Sequence, residues 1–256
     1  MKKYIIVRDN AQYIAGTTLK VSEQPESFNM GLHACKSTDT VITNRKTFSQ
    51  DLNIPLENCV FAQQTHSDHI YKVTEVDKGK GTLDYATAIK DTDALYTKEK
   101  GICLGVYTAD CVPVLMADPV TGVIAAIHAG WQGTVKEITK KTIKHLKEHE
   151  GVDPANLKVY IGASICQSTF EVGLEVIERV KNMSIDTTDT YYINESTQKG
   201  FVDNKELNRL QCVSEGVLPT HITVDKNCTF SNTENFFSYR KERDTGRHLS
   251  FIMMKG

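Results

Sequence analysis

In ADCVPVLMADPVTGVIAAIHAGWQGT, residues 109–134, two apolar runs of strand length, VPVLMA and VIAAI, flank the turn cluster DPVTG. That pattern predicts an antiparallel hairpin. With the turn centred between Pro119 and Val120, Cys111 and His128 stand directly opposite each other. Opposed side chains on one face of such a pair have Cβ atoms about 4.5–5.5 Å apart, close enough to converge on one ion. A turn one residue longer shifts this pairing by one. Asp110 precedes the cysteine, and Ala129, Gly130 and Trp131 follow the histidine, so polar groups gather where the apolar runs stop. Strand ends of that kind are common places for a site. The plainer reading of Cys111 is a small buried hydrophobe, and a third ligand would decide between the two.

His66 supplies that candidate. CVFAQQTH (59–66) and HIYKV (69–73) both read as strands, with His66 at their junction. His66 and His69 form H-x-x-H, a chelating spacing on a helix, but the β-rich surroundings favour His66 alone and leave His69 as an ordinary polar position. DALYT (93–97) and ICLGVYTAD (102–110) read as buried strands leading to Cys111, with Asp93 as a strand-end anchor. Two histidines and one thiolate leave a tetrahedral zinc with one open position, the catalytic arrangement. Such a centre acidifies water enough to supply hydroxide near neutral pH. Copper can compete for the same donors, although His₂Cys lacks the further histidine clusters of a multicopper oxidase.

The rest of the chain predicts alternating elements. Residues 39–52 read as a helix with Val41, Phe48 and Leu52 on one stripe and Asp39 or Thr38 as N-cap. Arg45 interrupts that stripe, so it needs either an internal ion pair or a substrate anion. Thr134 and Glu137 form a capping box opening a helix through about His149. FEVGLEVIERVKN (170–182) reads as a helix, and Asp203, Glu206 and Gly216 bracket another. LKVYIGASI, THITV and HLSFIMM read as strands, and residues 227–247, aromatic, polar and basic, as the wall or lid of a pocket. Strands and helices mix irregularly, giving an α+β (α/β-mixed) single domain over 1–256: mixed β-sheets with flanking helices and a metal site at the end of a central β-hairpin.

The chain has 30 basic and 32 acidic residues without long runs of either sign, and it is 40% hydrophobic. That balance points away from nucleic acid and from anionic membranes, and towards a small-molecule substrate. No apolar segment approaches a membrane span or a signal peptide. Seven cysteines without a C-x-x-C pair predict reduced thiols in a cytoplasm, six of them packing residues and Cys111 a thiolate ligand. Oligomeric state is not legible here.

FNMGLH (28–33), VITNRKTF (41–48), QQTHSDHIYKV (63–73), DALYT, ADCVPVLMADP (109–119), AAIHAGWQGT (125–134), IGASICQSTFEVG (161–173) and FFSYRKERDTGR (236–247) resemble, in order and spacing, the multi-copper polyphenol oxidase or laccase-like family, whose members are described as purine nucleoside phosphorylases. The resemblance implies zinc ligands at His66, Cys111 and His128 and a site arginine at Arg45. It also implies phosphorolysis of adenosine, inosine, guanosine and methylthioadenosine, with adenosine deamination beside it. On this reading Arg45 and the backbone near Gly130 hold phosphate, Asp110 shuttles protons, and Tyr239, Phe236 or Trp131 stacks on the base. Gln132 stands where the family usually has arginine, which makes Arg45 the expected main cation of the site. Copper-dependent phenol oxidation and a non-enzymatic factor of cell-wall metabolism, as described for peptidoglycan-editing relatives, are the alternatives.

Overall fold

Cys103–Thr108, Val112–Asp118 and Val123–Ala129 are buried along their whole length, so each of these strands needs cover on both faces. In the computed structural model, which describes residues 2–256, that cover comes from stacking two large sheets and adding a helical layer outside each. The strands are β1 (Tyr4–Asp9), β2 (Tyr13–Thr18), β3 (Cys59–Phe61), β4 (Ile70–Lys72), β5 (Ala94–Thr97), β6 (Cys103–Thr108), β7 (Val112–Asp118), β8 (Val123–Ala129), β9 (Lys158–Ile161), β10 (Glu171–Val172), β11 (Tyr191–Asn194), β12 (Lys199–Val202), β13 (Ile222–Val224) and β14 (His248–Met254). The helices are α1 (Thr38–Leu52), α2 (Trp131–Val135), α3 (Ile138–Glu150), α4 (Leu174–Lys181) and α5 (Asn204–Ser214), with short 3-10 turns between elements. One sheet has the order β1-β2-β14-β6-β3 and the second β13-β9-β7-β8-β5-β4, while a small third sheet, β10-β12-β11, packs with α4. This is a mixed α+β single-domain fold.

Period-two alternation along β7 and β8 distributes the layers. Val112, Val114, Met116, Ala125, Ile127 and Ala129 face α3 through Ile138, Ile143 and Leu146. The alternate residues Leu115, Ala117, Ile124 and Ala126 meet Val60, Leu104, Val106 and Ile252 of the other sheet. On its outer face that sheet packs Phe61, Leu249 and Phe251 against Phe48 of α1 and against Phe28 and Met30. No helix among the described residues is long and apolar enough to cross a membrane.

The hairpin forms, but in another register. Val112 pairs with Ala129 and Pro113 with His128, so Cys111 lies one residue before β7 and not opposite the histidine. The cause is a four-residue turn. The Asp118 carboxylate accepts from Val120 N (2.9 Å) and Thr121 Oγ1 (2.7 Å), its carbonyl accepts from Gly122 N, and Gly122 takes φ 75°. That left-handed position suits glycine. Helix starts also differ. Ser37, not Asp39 or Thr38, caps α1 by accepting from Thr40 N. The Thr134–Glu137 capping box is absent, because the chain turns from α2 into α3 through a left-handed Glu137. Thr134 is buried in α2, while the Glu137 carboxylate accepts from Ser184 N and Oγ. The helix expected over 170–182 is shorter, since Glu171 and Val172 are taken up as β10. Asp203 caps α5 as expected, accepting from Glu206 N at 3.0 Å.

The chain crosses from the five-stranded to the six-stranded sheet between β3 and β4 and again between β6 and β7. His66 lies on the first crossing and Cys111 on the second, while His128 stands near the end of β8. The connections between the two sheets therefore bring the three residues to one end of the sandwich.

Candidate metal and substrate site

One carboxylate organises the first crossing. Asp93, buried just before β5, accepts from the backbone N–H groups of Thr65 (3.1 Å), His66 (3.2 Å) and Ser67 (2.7 Å) and from Ser67 Oγ (2.7 Å). These bonds hold His66 in the left-handed region at φ 61°, a conformation that costs on the order of 1–3 kcal/mol unless its surroundings enforce it. The same carboxylate takes His128 Nδ1 at 2.7 Å, and its backbone carbonyl accepts from His128 N at 2.7 Å. With Nδ1 engaged, His128 presents Nε2 to Cys111, as a carboxylate behind a ligating histidine does at metal sites.

The ligand atoms of His66, Cys111 and His128 lie within 4.8 Å of one another, and His66 Nε2 is 3.8 Å from Cys111 Sγ. The imidazoles meet edge to face at a centroid separation of 4.8 Å. This is a cluster that could bind a metal: two borderline nitrogens and one soft sulfur, three donors converging on one point. Gly130 completes the cradle. A Cβ there would stand 2.4 Å from His66 Cδ2 and 3.2 Å from Cys111 Sγ, so a side chain at 130 would push the donors apart. Charge agrees with geometry. Burial would raise the Cys111 thiol, but His128 and His66 bring it down to about 6. Burial would likewise lower His128, yet Cys111 and Asp93 raise it to about 9. Asp93, raised by burial alone, is held at about 2 by His128 and Ser67. The three groups are thus electrostatically coupled, and a cation bound at His128 Nε2 would take the place of that ring's proton.

Beside the cluster lies a cavity of about 260 Å³, lined by His66, Asp110 and Cys111, by the apolar Trp131, Ile165 and Phe170, and by Tyr239, Arg240 and Arg243. Its size suits a small organic molecule. Asp110 adopts φ 89° and is gripped on both sides: its carboxylate accepts from Thr229 Oγ1 (2.6 Å) and Arg240 N (2.7 Å), and its carbonyl from Ile165 N (3.0 Å). Tyr239, 42% exposed, has the Arg243 guanidinium 4.9 Å and that of Arg247 5.5 Å from its ring centroid. The Arg247 guanidinium donates to the carbonyls of Thr245 and Gly246. Burial lowers its pKa, while Cys111, Tyr239 and Asp110 act in the opposite sense and support its charge.

Two expectations need correction. Arg45 does not reach a substrate pocket: it is 1% exposed, and its guanidinium donates to the carbonyls of Met30 (3.0 and 2.7 Å), Gly81 (2.7 Å) and Thr82 (2.6 Å). The rings of Phe61 and Tyr107 lie 5.1 and 5.2 Å away. No carboxylate pairs with it among the described residues. Carbonyl oxygens satisfy this cation. Phe236 is likewise a core residue, 2% exposed and packed against His248, whereas Trp131 and Tyr239 do line the cavity. His69 is exposed and pairs with Asp91, as an ordinary polar position would. The sequence reading missed three things: the central position of Asp93, the arginines after Tyr239, and His33. The last lies against Tyr85 and Tyr107 and is lowered to about 4 by burial and by Arg247, Arg45 and His128. The basic run RKERDTGR was the one signal that could have found the arginines.

The family described as multi-copper polyphenol oxidoreductase laccase matches residues 15–255. The protein named purine nucleoside phosphorylase YlmD of Bacillus subtilis (strain 168) is 39% identical over 253 residues, covering 97% of this chain and 91% of that protein. One named adenosine deaminase RL5, from an unknown prokaryotic organism, is 34% identical over 216 residues, 84% of this chain and 82% of its own. The crystal structure of Bacillus licheniformis hypothetical protein YfiH superposes with a TM-score of 0.92 at 33% identity, covering 100% of both chains.

Proposed function

The chain belongs to the multi-copper polyphenol oxidoreductase laccase family, and on that footing we propose that it is a zinc-dependent purine nucleoside phosphorylase with adenosine deamination as a side activity. The observation that carries this reading is the His66–Cys111–His128 cluster opening onto a small cavity whose wall interleaves aromatic rings with arginines. The names of the relatives from B. subtilis and of RL5 point the same way.

His66, Cys111 and His128 would hold the zinc, whose chemistry is that of a Lewis acid with one position left for an exogenous ligand. The remaining roles fall to this chain's own residues. Trp131, Phe170 and Tyr239 receive the purine, since base–aromatic stacking is sequence-tolerant and favourable. Phosphate takes the arginines. Arg243 and Arg247 form no ion pair with a carboxylate among the described residues, and a guanidinium fork matches phosphate oxygens. These two, with Arg240, replace Arg45 as the anion site. In phosphorolysis a phosphate oxygen bonds to the ribose carbon as its bond to the purine nitrogen breaks, and Asp110 faces the positive charge that develops on the sugar. In deamination a water oxygen bonds to the purine carbon that loses its amine, and the same carboxylate would carry that water's proton to the departing ammonia.

The test is direct. Protein of measured metal content is given inosine with and without phosphate, then adenosine without it. Hypoxanthine and ribose 1-phosphate formed only when phosphate is present, with slower phosphate-independent conversion of adenosine to inosine, is the expected result. Failure of protein carrying one zinc per chain to release hypoxanthine would overturn the phosphorylase reading. One copper per chain with turnover of phenols would replace it.

A further inference from the structure

All seven cysteines are free, yet Cys166 and Cys228, 62 residues apart in sequence, face each other with their Sγ atoms 2.7 Å apart. Both are half-buried, within reach of small reagents. Their segments are joined independently of the sulfurs. Ser164 and Cys228 form a parallel β-bridge, Thr229 N donates to the Ser164 carbonyl at 3.1 Å, and Cys166 N donates to Cys228 Sγ at 3.2 Å. Thr169 Oγ1 and Ser231 Oγ stand 3.5 and 3.6 Å from the same sulfur. A thiol surrounded by donors is a thiol whose ionised form is stabilised.

We infer that Cys166 and Cys228 form an oxidative modification site, in which Cys228 is the attacking thiolate, Cys166 the resolving thiol, and the co-reactant a low-molecular-weight disulfide. Cys228 Sγ attacks one sulfur of that disulfide; a mixed disulfide forms, the reagent's own S–S bond breaks, and a thiolate leaves to take a proton from water. Cys166 Sγ, giving up its proton to solvent, then attacks Cys228 Sγ. The bond between the two protein sulfurs forms and the second small thiolate departs. Two protein thiols are oxidised, and one small disulfide is reduced to two thiols. Although burial would push the Cys228 thiol up, its contacts to Cys166, Thr169 and Ser231 hold it down to about 6, which favours the first attack. The carbonyl and carboxylate of Asp110 are held by Ile165 and Thr229, each next in sequence to one of these cysteines. Oxidation therefore staples together the two segments that grip the cavity's carboxylate. The site is separate from the metal cluster and independent of the reaction proposed above.

The experiment treats the full chain with oxidised glutathione and follows it by intact mass and peptide mapping, alongside Cys166→Ser and Cys228→Ser proteins whose fold is checked by circular dichroism. The unmodified chain is expected to lose two hydrogens and yield one cross-linked peptide pair containing Cys166 and Cys228, reversible by dithiothreitol. Cys166→Ser should stop at one glutathionyl group on Cys228. Cys228→Ser should lose most of its reactivity at Cys166, by on the order of tenfold or more, since a half-buried thiol without thiolate stabilisation reacts slowly. In the unmodified chain, Cys228 should also alkylate faster than any other cysteine outside the metal cluster. Retention of both thiols under oxidant, a cross-link elsewhere, or Cys166→Ser protein with no adduct at Cys228 overturns the proposal.

Discussion

Arg45 and the His66–Cys111–His128 cluster both bury polar nitrogen or sulfur near the same sheets, but they satisfy it in opposite ways. The Arg45 guanidinium directs its hydrogen bonds to backbone carbonyls of three residues that belong to the fold itself. In the cluster the backbone bonds run to Asp93 instead, and three ligand atoms are left facing one another beside a cavity. A buried polar group whose partners are all internal is part of the framework, whereas a group of them pointed at a common point beside open space is available for chemistry. Sequence pattern alone does not separate the two cases, because both show only as a polar or soft residue set beside apolar positions.

Four substitutions break or sharpen the contrast. Cys111→Ala should have the largest effect on the cluster, reducing bound zinc from one per chain to a trace by elemental analysis while the fold persists. Arg45→Ala should do the reverse, lowering the free energy of unfolding by about 3–5 kcal/mol in urea titration, because removing a buried charged donor strands its acceptors. The protein that still folds should bind zinc normally; parallel loss of zinc would join the two regions into one. Asp93→Asn should weaken zinc binding by roughly 10–100-fold, about 1.4–2.7 kcal/mol, as loss of a carboxylate behind a histidine ligand generally does. Competition with a chromogenic chelator measures it. Arg247→Lys should raise KM for phosphate by on the order of 10-fold, about 1.4 kcal/mol, with little change in adenosine deamination. An equal fall in both activities would remove Arg247 from the phosphate site.

Glu150 supplies a control of smaller effect. It is buried at the end of α3, with Lys72, Lys98 and Tyr96 on its carboxylate at 2.8, 2.9 and 3.1 Å and no cavity of the site beside it. Burial would raise this group, but Lys72, Lys98 and Tyr96 hold it at about 2 against an ordinary 4.5. A depressed carboxylate contributes stability that is complete above its unfolded pKa and is lost as pH falls toward the folded one. Unfolding midpoints should therefore drop as pH falls from about 4.5 toward about 2, and Glu150→Gln should flatten that limb without altering zinc content.

The hairpin, the buried strands and the three residues that could hold a metal were legible because periodicity and residue type are local properties. The register was not, since it depended on how the Asp118 carboxylate closes a four-residue turn. Arg45 was recognised as anomalous, but its carbonyl partners lie in irregular segments around Met30, Gly81 and Thr82 that no pattern marks. The Cys166–Cys228 pair escaped for a similar reason. Thiols 62 residues apart meet only because two loops bridge at Ser164.

The turn at Pro119–Gly122 acts as a ruler for a site at the far end of the hairpin. It lies seven residues of β7 away from the cluster, roughly 23 Å at the rise of an extended strand. Since side chains alternate with period two, deleting one turn residue and re-pairing would turn residue 128 from the space between the sheets toward the α3 layer. A re-pairing by two positions would keep the face but slide His128 along β7, away from its place opposite Pro113. Loop-length changes, which surface turns ordinarily tolerate, are thus constrained in this loop by a requirement that no residue in it touches.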